Sequence, residues 1–530
     1  MPVGRPLSAR SGFSAYLFLL TLDLIGTSSS TELEGFAEDD PCLQEGSGEC
    51  SASWLQLKAR RKGVKSFVWL SDIHADPYYG TDLQQCRNTS TSEHANGMLT
   101  CDPPYDLFKS AAAAAAAAAP SAEFVLFTGD FVRHKQDLMP DPYSNVTHII
   151  ERVSREVAAA FPELVRKSRI VIGALGNDDS PANYELNLTT ENASNPWLRN
   201  AAEAMTKGGV LGHQFNTSAY NYGGYFAQQQ GPLTILTINT IIYCVNHVPK
   251  SDPLPDDPFF QFRWLKQQLE KAAELKRPVW IVGHVPPGLE TYGYTELWWP
   301  QYLVLYRDLV SHPLLAPWVA AQLFGHVHAD EFRLLPGSIQ GAGPILLSGA
   351  LSPVYRTFPS FRIVDYDSAT GRLLNYRVYY TNLSSTAAGS EPRWMLGYNL
   401  TGSYPSLGAG GGGSHGLTQS AYEALATNLQ KGGTEFTTYA SWYKTLVPND
   451  LERCGQLNET SKHHCIGQYI CGLHVYTQTE FNECAKSLYA NKECSAVLGT
   501  QLGLESRYEP ARHDHWCKVL QTEDFVGFGV

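Results

Sequence analysis

Seven side chains that can bind metal ions follow short apolar runs of this chain. They are Asp72 and His74 in SDIHAD, Asp130 in FTGD, Asn177 in LGND, His284 in VGHVPP, and His326 with His328 in FGHVH. In the D-x-H and H-x-H pairs, alternate residues share a face of an extended segment, so both can reach one metal centre. Imidazole and carboxylate together favour zinc, iron or manganese over calcium. Each residue alone would more often be a satisfied polar group at a strand end, but the set predicts a site for two metals.

The segments before these residues are typical of buried β-strands. The runs are SFVWLSD, FVLFTGD, RIVIGALGND, LTILTINT, PVWIVGH, AAQLFGH and PILLSGA, each ending in a polar or glycine-rich turn. Between them, the alanine run 111–119 favours a helix over low complexity, and residues 260–277 form an amphipathic helical pattern. The alternation predicts an α/β fold that brings the polar residues to the carboxyl ends of its strands.

Composition limits the classes of partner. The chain has 530 residues, 43% of them hydrophobic and 17% charged, which describes a globular protein. Its formal net charge is −12, and it has no basic run or stripe that could follow a phosphate backbone. We therefore expect no nucleic-acid-binding surface. A small phosphorylated substrate is compatible with this charge, because bound metal ions can invert the local field.

The amino terminus has the pattern of a signal peptide over residues 1–30. Arg5 and Arg10 precede an apolar run from Phe13 to Ile25, which small residues follow. The run is interrupted by Asp23 and is shorter than the roughly 20 residues that span a bilayer, which makes a membrane anchor the weaker interpretation. We expect secretion, or delivery to a lysosome or vacuole lumen, with no transmembrane segment after signal removal.

Sequons and cysteines agree with entry into the secretory pathway. Eight N-x-S/T sequons are candidate glycosylation sites: Asn88, Asn145, Asn187, Asn192, Asn216, Asn382, Asn399 and Asn458. Of eleven cysteines, Cys42 with Cys50 and Cys86 with Cys101 form short-range pairs, and six more lie between Cys454 and Cys517. Such grouping favours disulfides, although connectivity cannot be derived from sequence. Cys244, alone in an apolar stretch, is predicted to be a buried free thiol.

These features divide the chain into five regions. After the signal come an N-terminal lead-in (31–64), the catalytic domain (65–401), a glycine-rich linker (402–416) and a small, disulfide-rich helical domain (417–530). We expect a structural role for the last of these.

The order D-x-H, G-D, G-N-x-D, G-H, G-H-x-H resembles that of the calcineurin-like metallophosphoesterase superfamily. More closely, SDIHADPYY, CDPPYDL, FTGDFVRH, GHVPPG and the terminal cysteine-rich helices resemble the acid sphingomyelinase-like phosphodiesterases and the endopolyphosphatases. The resemblance implies a two-sheet sandwich flanked by helices, two zinc ions, and hydrolysis of phosphoric esters or anhydrides by a metal-bridged hydroxide. It also assigns the ligands: Asp72, His74, Asp130 and His328 to one metal, Asn177, His284 and His326 to the other, with Asp130 bridging.

The same resemblance implies two histidines beside the leaving oxygen. His134 matches the first, but Asp178 stands at the second position. Our hypothesis is that Asp178, protonated at acid pH, donates a hydrogen bond to the phosphoryl group. The substitution puts the range of leaving groups in question, because phosphate or a nucleotide needs less protonation than an alcohol.

Three functions remain open at this stage. A phosphodiesterase is the first choice, for a nucleotide, another phosphodiester or a phospholipid head group. An endopolyphosphatase is the second, which a basic open groove beside the metals would favour over an apolar pocket, and a non-catalytic binding glycoprotein is the third. Cys86 with Cys101 would close the loop after the first metal motif, and the most economical remaining pairs are Cys454–Cys465, Cys471–Cys484 and Cys494–Cys517. We also expect the chain to lack the six-cysteine lipid-presenting domain that acid sphingomyelinases carry before the catalytic domain.

Overall fold

Two six-stranded mixed sheets form the centre of the protein. The computed structural model describes residues 63–86, 94–188, 195–212, 215–336, 342–385, 390–410 and 416–489, all within one compact unit. The strands are β1 (Val64–Leu70), β2 (Val125–Phe127), β3 (Ile170–Val171), β4 (Phe226–Gln230), β5 (Leu233–Thr237), β6 (Val279–Val282), β7 (Val319–Phe324), β8 (Glu331–Arg333), β9 (Ile345–Leu347), β10 (Ser360–Asp367), β11 (Leu373–Tyr380) and β12 (Met395–Asn399).

The sheet order explains how distant residues meet. One sheet has the order β12-β11-β10-β1-β2-β3 and the other β4-β5-β6-β7-β9-β8. Strands β1, β2 and β3 are parallel, as are β5, β6, β7 and β9, so their carboxyl ends lie at common edges. The sheets contact each other through Phe67 and Trp280, whose ring centroids are 4.9 Å apart. All residues of β6 and β7 are buried, as expected for strands covered on both faces.

Helices flank the sheets. They are α1 (Tyr105–Ala118), α2 (Pro142–Ala160), α3 (Pro162–Arg166), α4 (Pro196–Lys207), α5 (Thr217–Gly223), α6 (Gln261–Leu275), α7 (Pro300–Val310), α8 (Leu400–Ser403), α9 (Ser406–Ala409), α10 (Gln419–Leu429), α11 (Thr434–Tyr443), α12 (Asp450–Gln456), α13 (Glu459–Gly472) and α14 (Gln478–Tyr489). The helix predicted for the alanine run is α1, which buries Ala111, Ala112 and Ala115. The predicted amphipathic helix is α6, which buries Phe262, Leu265 and Leu269. The two-sheet, helix-flanked architecture is confirmed.

The C-terminal helices α10–α14 pack against the second sheet. Phe332 of β8 contacts the rings of Tyr422 and Tyr439, with centroids 4.9 Å and 5.8 Å away. The disulfides Cys86–Cys101, Cys454–Cys465 and Cys471–Cys484 are formed, which confirms three of the suggested pairs. Cys42, Cys50, Cys494 and Cys517 lie outside the described residues. Cys244 is a buried free thiol, as predicted.

Several predictions concern the surface. No helix among the described residues is long and apolar enough to cross a membrane. Asn187, Asn216, Asn399 and Asn458 are exposed, whereas Asn145 and Asn382 are half-buried. Asn88, Asn192 and the predicted signal peptide fall outside the described residues. Glycosylation, targeting and the region boundaries stay predictions.

Candidate metal centre

Four of the predicted ligands converge in a first buried group. The Nε2 atoms of His74 and His328 face each other at 3.0 Å. Oδ2 of Asp130 lies 3.4 Å from Nε2 of His74, and Oδ1 of Asp72 lies 3.5 Å from Nε2 of His328. These side chains follow β1, β2 and β7, so residues of both sheets meet at this point.

A second group shares Asp130 with the first. Nε2 of His284 lies 2.9 Å from Oδ2 of Asp130 and 3.1 Å from Oδ1 of Asn177. His326 completes this group with Asp130 and His284. The same carboxylate oxygen therefore contacts both groups, and the structure brings all seven predicted ligands together.

The donor atoms fit a pair of divalent cations. Nδ1 of His74 faces the carbonyl oxygen of Val132 at 2.9 Å, and Nδ1 of His284 faces that of Thr128 at 2.7 Å. A proton on each Nδ1 leaves an unprotonated Nε2 directed at the centre. Burial, followed by the neighbouring histidines, lowers the pKa of His74 and His328 well below the usual value, so these rings are neutral. Separations of 2.9–3.5 Å between lone-pair donors suit adjacent ligands of an ion with bonds of about 2.0–2.2 Å.

Backbone conformation is unusual at five of the seven ligands. Their φ angles are positive: 51° at Asp72, 46° at His74, 55° at Asp130, 73° at His326 and 52° at His328. Non-glycine residues adopt this left-handed region at a cost, and they remain there only where the surrounding structure holds them. Strain is therefore concentrated in the turns that present the ligands.

Asp179 holds two of the turns that carry metal ligands, although sequence reasoning assigned it no role. Its carboxylate accepts hydrogen bonds from the backbone N–H groups of Asp130 (2.9 Å), Phe131 (2.7 Å), Val132 (3.1 Å) and Gly176 (2.8 Å). It thereby joins the turn after β2 to the turn after β3. The fixed position of Asp179 in the G-N-x-D motif is the signal that could have identified it.

Gly176 leaves room for the shared carboxylate. A Cβ atom at this position would overlap Oδ1 and Cγ of Asp130 and its backbone nitrogen. The close approach of the two turns therefore requires glycine here.

His134 lies beside the first group and is oriented by Asp102. Its ring stacks on that of His74 at 3.9 Å, and its Nδ1 lies 3.0 Å from Oδ1 of Asp102. Ser352 donates to the same oxygen at 3.1 Å. Burial opposes a charge on the imidazole, but the carboxylates of Asp102 and Asp178 outweigh it and raise the pKa of His134 to about 10. Sequence reasoning missed Asp102, although it lies in the quoted CDPPYDL motif.

Asp178 is buried on the other side of His134. Its Oδ2 accepts from Nδ2 of Asn177 at 3.0 Å and lies 3.6 Å from Nε2 of His134. Its Oδ1 is buried and has no hydrogen-bond partner among the described residues. Burial raises the pKa of Asp178 to about 8, with His134 acting in the opposite direction. The carboxyl group is therefore neutral at acid pH.

An aromatic side chain covers the edge of the site. Tyr355 is 53% exposed, and the centroid of its ring lies 5.2 Å from that of His134 and 4.9 Å from that of His328. Tyr184 reaches the other end, where its hydroxyl lies 3.2 Å from Nε2 of His326. Aromatic groups thus contact histidines of both metal groups.

The chain belongs to the calcineurin-like phosphoesterase family, whose family profile matches residues 65–330. It is a metal-dependent phosphoester hydrolase, and its donor set is that of a site for two divalent ions.

Among curated proteins it is similar to acid sphingomyelinase-like phosphodiesterase 3b of Homo sapiens, with 27% identity over 83% of this chain and 94% of that protein. It is also similar to cyclic GMP-AMP phosphodiesterase SMPDL3A of Mus musculus (26% identity, 81% and 93%). A third relative is sphingomyelinase phosphodiesterase D of Dictyostelium discoideum (25% identity, 58% and 67%).

Proposed function

We propose that this protein is a phosphodiesterase with two zinc ions. Asp72, His74, Asp130 and His328 would hold one ion, and Asn177, His284, His326 and the shared Asp130 would hold the other. The observation that carries this proposal is the position of Oδ2 of Asp130, 3.4 Å from Nε2 of His74 and 2.9 Å from Nε2 of His284. A carboxylate oxygen in contact with both histidine groups is in the position that a ligand shared by two cations would occupy.

Two bound ions supply Lewis-acid polarisation of phosphoryl oxygens and lower the pKa of water. The chain supplies the remaining chemistry. Asp102 orients the ring of His134 through Nδ1 and stabilises its charged form, which leaves Nε2–H as the donor. In this role His134 transfers a proton to the leaving oxygen, as a general acid.

Asp178 acts on the proposed general acid, His134, through their contact, and it also contacts the substrate. Near pH 5 its carboxyl group is neutral, because burial raises its pKa, and it can donate a hydrogen bond to a phosphoryl oxygen. A neutral donor is weaker than an imidazolium, so His134 carries most of the leaving-group protonation. The proposed enzyme therefore prefers leaving groups that need little assistance.

Tyr355 favours a diester over polyphosphate. Its half-exposed ring lies against His134, the residue that faces the leaving group, and offers an apolar surface to the organic part of a diester. Polyphosphate, by contrast, calls for lysine and arginine beside the metals. All three relatives are named as phosphodiesterases: one as acid sphingomyelinase-like, one as a sphingomyelinase and one as acting on cyclic GMP-AMP. Endopolyphosphatase activity is the second proposal, supported by Asp178 and by the resemblance of the RH and GHVPP elements to those of endopolyphosphatases.

The predicted signal peptide and sequons support secretion or a lysosomal or vacuolar location, and an acid working pH agrees with this. The test uses the full-length protein matured in a secretory host. Bis(p-nitrophenyl) phosphate, p-nitrophenyl phosphate, long-chain polyphosphate, cyclic GMP-AMP and sphingomyelin are compared at pH 5 with zinc, and the Asp130→Asn variant is the control.

We expect the diesters to be hydrolysed faster than the monoester, and we expect the Asp130→Asn variant to lose this activity. Turnover of polyphosphate alone would replace the first proposal with the second. No turnover of any substrate by protein that holds two zinc ions would contradict both.

A further inference from the structure

The C-terminal helical region reaches the turn that carries two of the metal ligands. Lys444 directly follows α11, and its Nζ donates to the carbonyl oxygens of Val327 (3.1 Å) and His328 (2.9 Å). One ammonium group thus binds two consecutive carbonyl groups of the His326-Val327-His328 turn. Hydrogen bonds from an ionised donor are stronger than neutral ones.

This turn needs an external support. His326 and His328 both have left-handed backbone conformations, with φ of 73° and 52°, on either side of Val327. Two strained non-glycine residues so close together are stable only where their surroundings fix them. Asp72 holds one end, since its Oδ1 accepts from the N–H of His326 at 2.8 Å. Lys444 holds the other end, where the carbonyl of His328 leaves the turn.

Further contacts attach the C-terminal region to the residues after the turn. The N–H of Asp330 donates to the carbonyl of Tyr443 at 3.1 Å, and Leu334 exchanges two backbone hydrogen bonds of 2.8 Å with Leu473 and Val475. The hydroxyl of Tyr443 also lies 2.8 Å from Oγ1 of Thr291. Lys444 is therefore presented from a fixed position, and it is not a mobile surface lysine.

We propose that Lys444 is a positioning residue for the metal centre, through which the C-terminal helical region fixes the imidazole of His328 in its ligating orientation. The proposal rests on the proposed function, because it takes His326 and His328 as ligands. Loss of the ammonium group frees the turn to relax towards ordinary backbone angles, which turns Nε2 of His328 away from His74. The ion held by His328 is then bound more weakly, and the ion held by His284 is affected less.

The test compares zinc binding by wild-type protein and by Lys444→Met, Lys444→Arg and Lys431→Met variants. Lys431 is the matched control: it lies in the same region but is exposed, and its Nζ donates to Oδ1 of Asn428 rather than to the turn. Each full-length protein is stripped with a chelator and titrated with zinc against a chromogenic competitor, and cobalt(II) absorption reports the ligand geometry. We expect one of two dissociation constants to rise about tenfold or more in Lys444→Met, as is typical when a residue behind a ligand is lost. We expect partial recovery in Lys444→Arg and wild-type values in Lys431→Met.

Equal dissociation constants and cobalt spectra in wild-type protein and Lys444→Met would overturn the proposal. An equal loss at both sites, with a lower melting temperature of the metal-free protein, would also overturn it, because it would show a general structural role. If Lys444→Met does not fold, Lys444→Gln, which keeps a shorter neutral donor, takes its place with the same expectation. Wild-type protein that binds no zinc would contradict the proposed function itself, a result that the variants cannot produce.

Discussion

Nε2 of His134 lies 3.6 Å from Oδ2 of Asp178, so a carboxyl group stands at the position where the sequence resemblance predicts a second histidine. Since Asp102 occupies the opposite nitrogen of the same ring, His134 lies between two acidic groups. The arrangement keeps the imidazole protonated, so that its Nε2–H can supply a proton to the leaving oxygen. Division of labour between these two residues leads to the first two predictions.

Replacing His134 with Gln will slow the hydrolysis of substrates with poor leaving groups far more than that of substrates with good ones. Loss of a general acid costs about 10²–10⁴-fold where the leaving oxygen needs a proton. We expect that loss for glycerophosphocholine, and a decrease of at most about tenfold for bis(p-nitrophenyl) phosphate, measured as kcat at pH 5. His148→Gln, an exposed substitution on α2, should leave both rates unchanged. Equal losses on the two substrates would mean that His134 does not act on the leaving group.

Asp178→Asn will retain most of its activity at pH 5, whereas Asp178→Ala will not. Burial raises the pKa of Asp178 to about 8, so the native carboxyl group is neutral at pH 5, and Asn keeps both its shape and a hydrogen-bond donor. Ala removes the donor, which is worth about 1.4 kcal/mol or tenfold in rate. The measurement is kcat for bis(p-nitrophenyl) phosphate. Full activity of the Ala variant at pH 5 would eliminate the proposed hydrogen bond.

Removal of the metals will make stability fall as pH rises from 6.5 to 8. Without cations, burial raises the pKa of Asp72 and Asp130 to about 7, above their unfolded values. The folded state therefore binds extra protons, and the stability that they contribute is lost as pH rises through the folded pKa, by up to about 1.4 kcal/mol per pH unit for each group. Histidines with lowered pKa values, such as His74, have the opposite effect only below about 6.5.

Differential scanning calorimetry of chelated and zinc-loaded protein at pH 6.5, 7.25 and 8 tests this expectation. The melting temperature of the chelated protein should fall across the series, and that of the loaded protein should change less because its carboxylates remain ionised on the metals. Parallel slopes in the two forms would show that these carboxylates are not buried ligands.

Asp179→Asn will destabilise the protein and weaken metal binding together. The native carboxylate accepts four backbone N–H groups, whereas an amide has one acceptor oxygen and turns its own N–H₂ towards donors. We expect a loss of about 2–3 kcal/mol in the free energy of unfolding, from urea titration. Asp137→Asn, on the surface, serves as the control. Unchanged stability in Asp179→Asn would show that the turns hold without this carboxylate.

The ligands could be predicted from the sequence because local patterns carry them. Each ligand follows an apolar run that forms a strand, and parallel strands bring their carboxyl ends together whatever lies between them. Disulfides such as Cys454–Cys465 could be predicted for a related reason, since both cysteines are close along the chain. Helix α1 could also be predicted, because alanine has the highest helix propensity and a run of alanines favours a helix.

The supporting roles of Asp102 and Lys444 could not be predicted, because they arise from tertiary contacts. Asp102 acts on His134 across 32 residues of chain, and Lys444 acts on His328 across 116. Nothing in the sequence around Lys444 differs from a helix end on the surface. The left-handed backbone angles of the ligands could not be predicted either, since Asp and His commonly adopt other conformations.

Gly176 is a position where natural selection can accept few substitutions, although its residue has no reactive side chain. A single methyl group there would occupy the space of the shared carboxylate. The site therefore requires a residue without a side chain at this position as strictly as it requires any ligand. A survey of tolerated mutations that looked only for reactive side chains would overlook this residue. Random mutagenesis should therefore recover inactive enzymes with all seven ligands intact, in which the lesion is one added carbon atom.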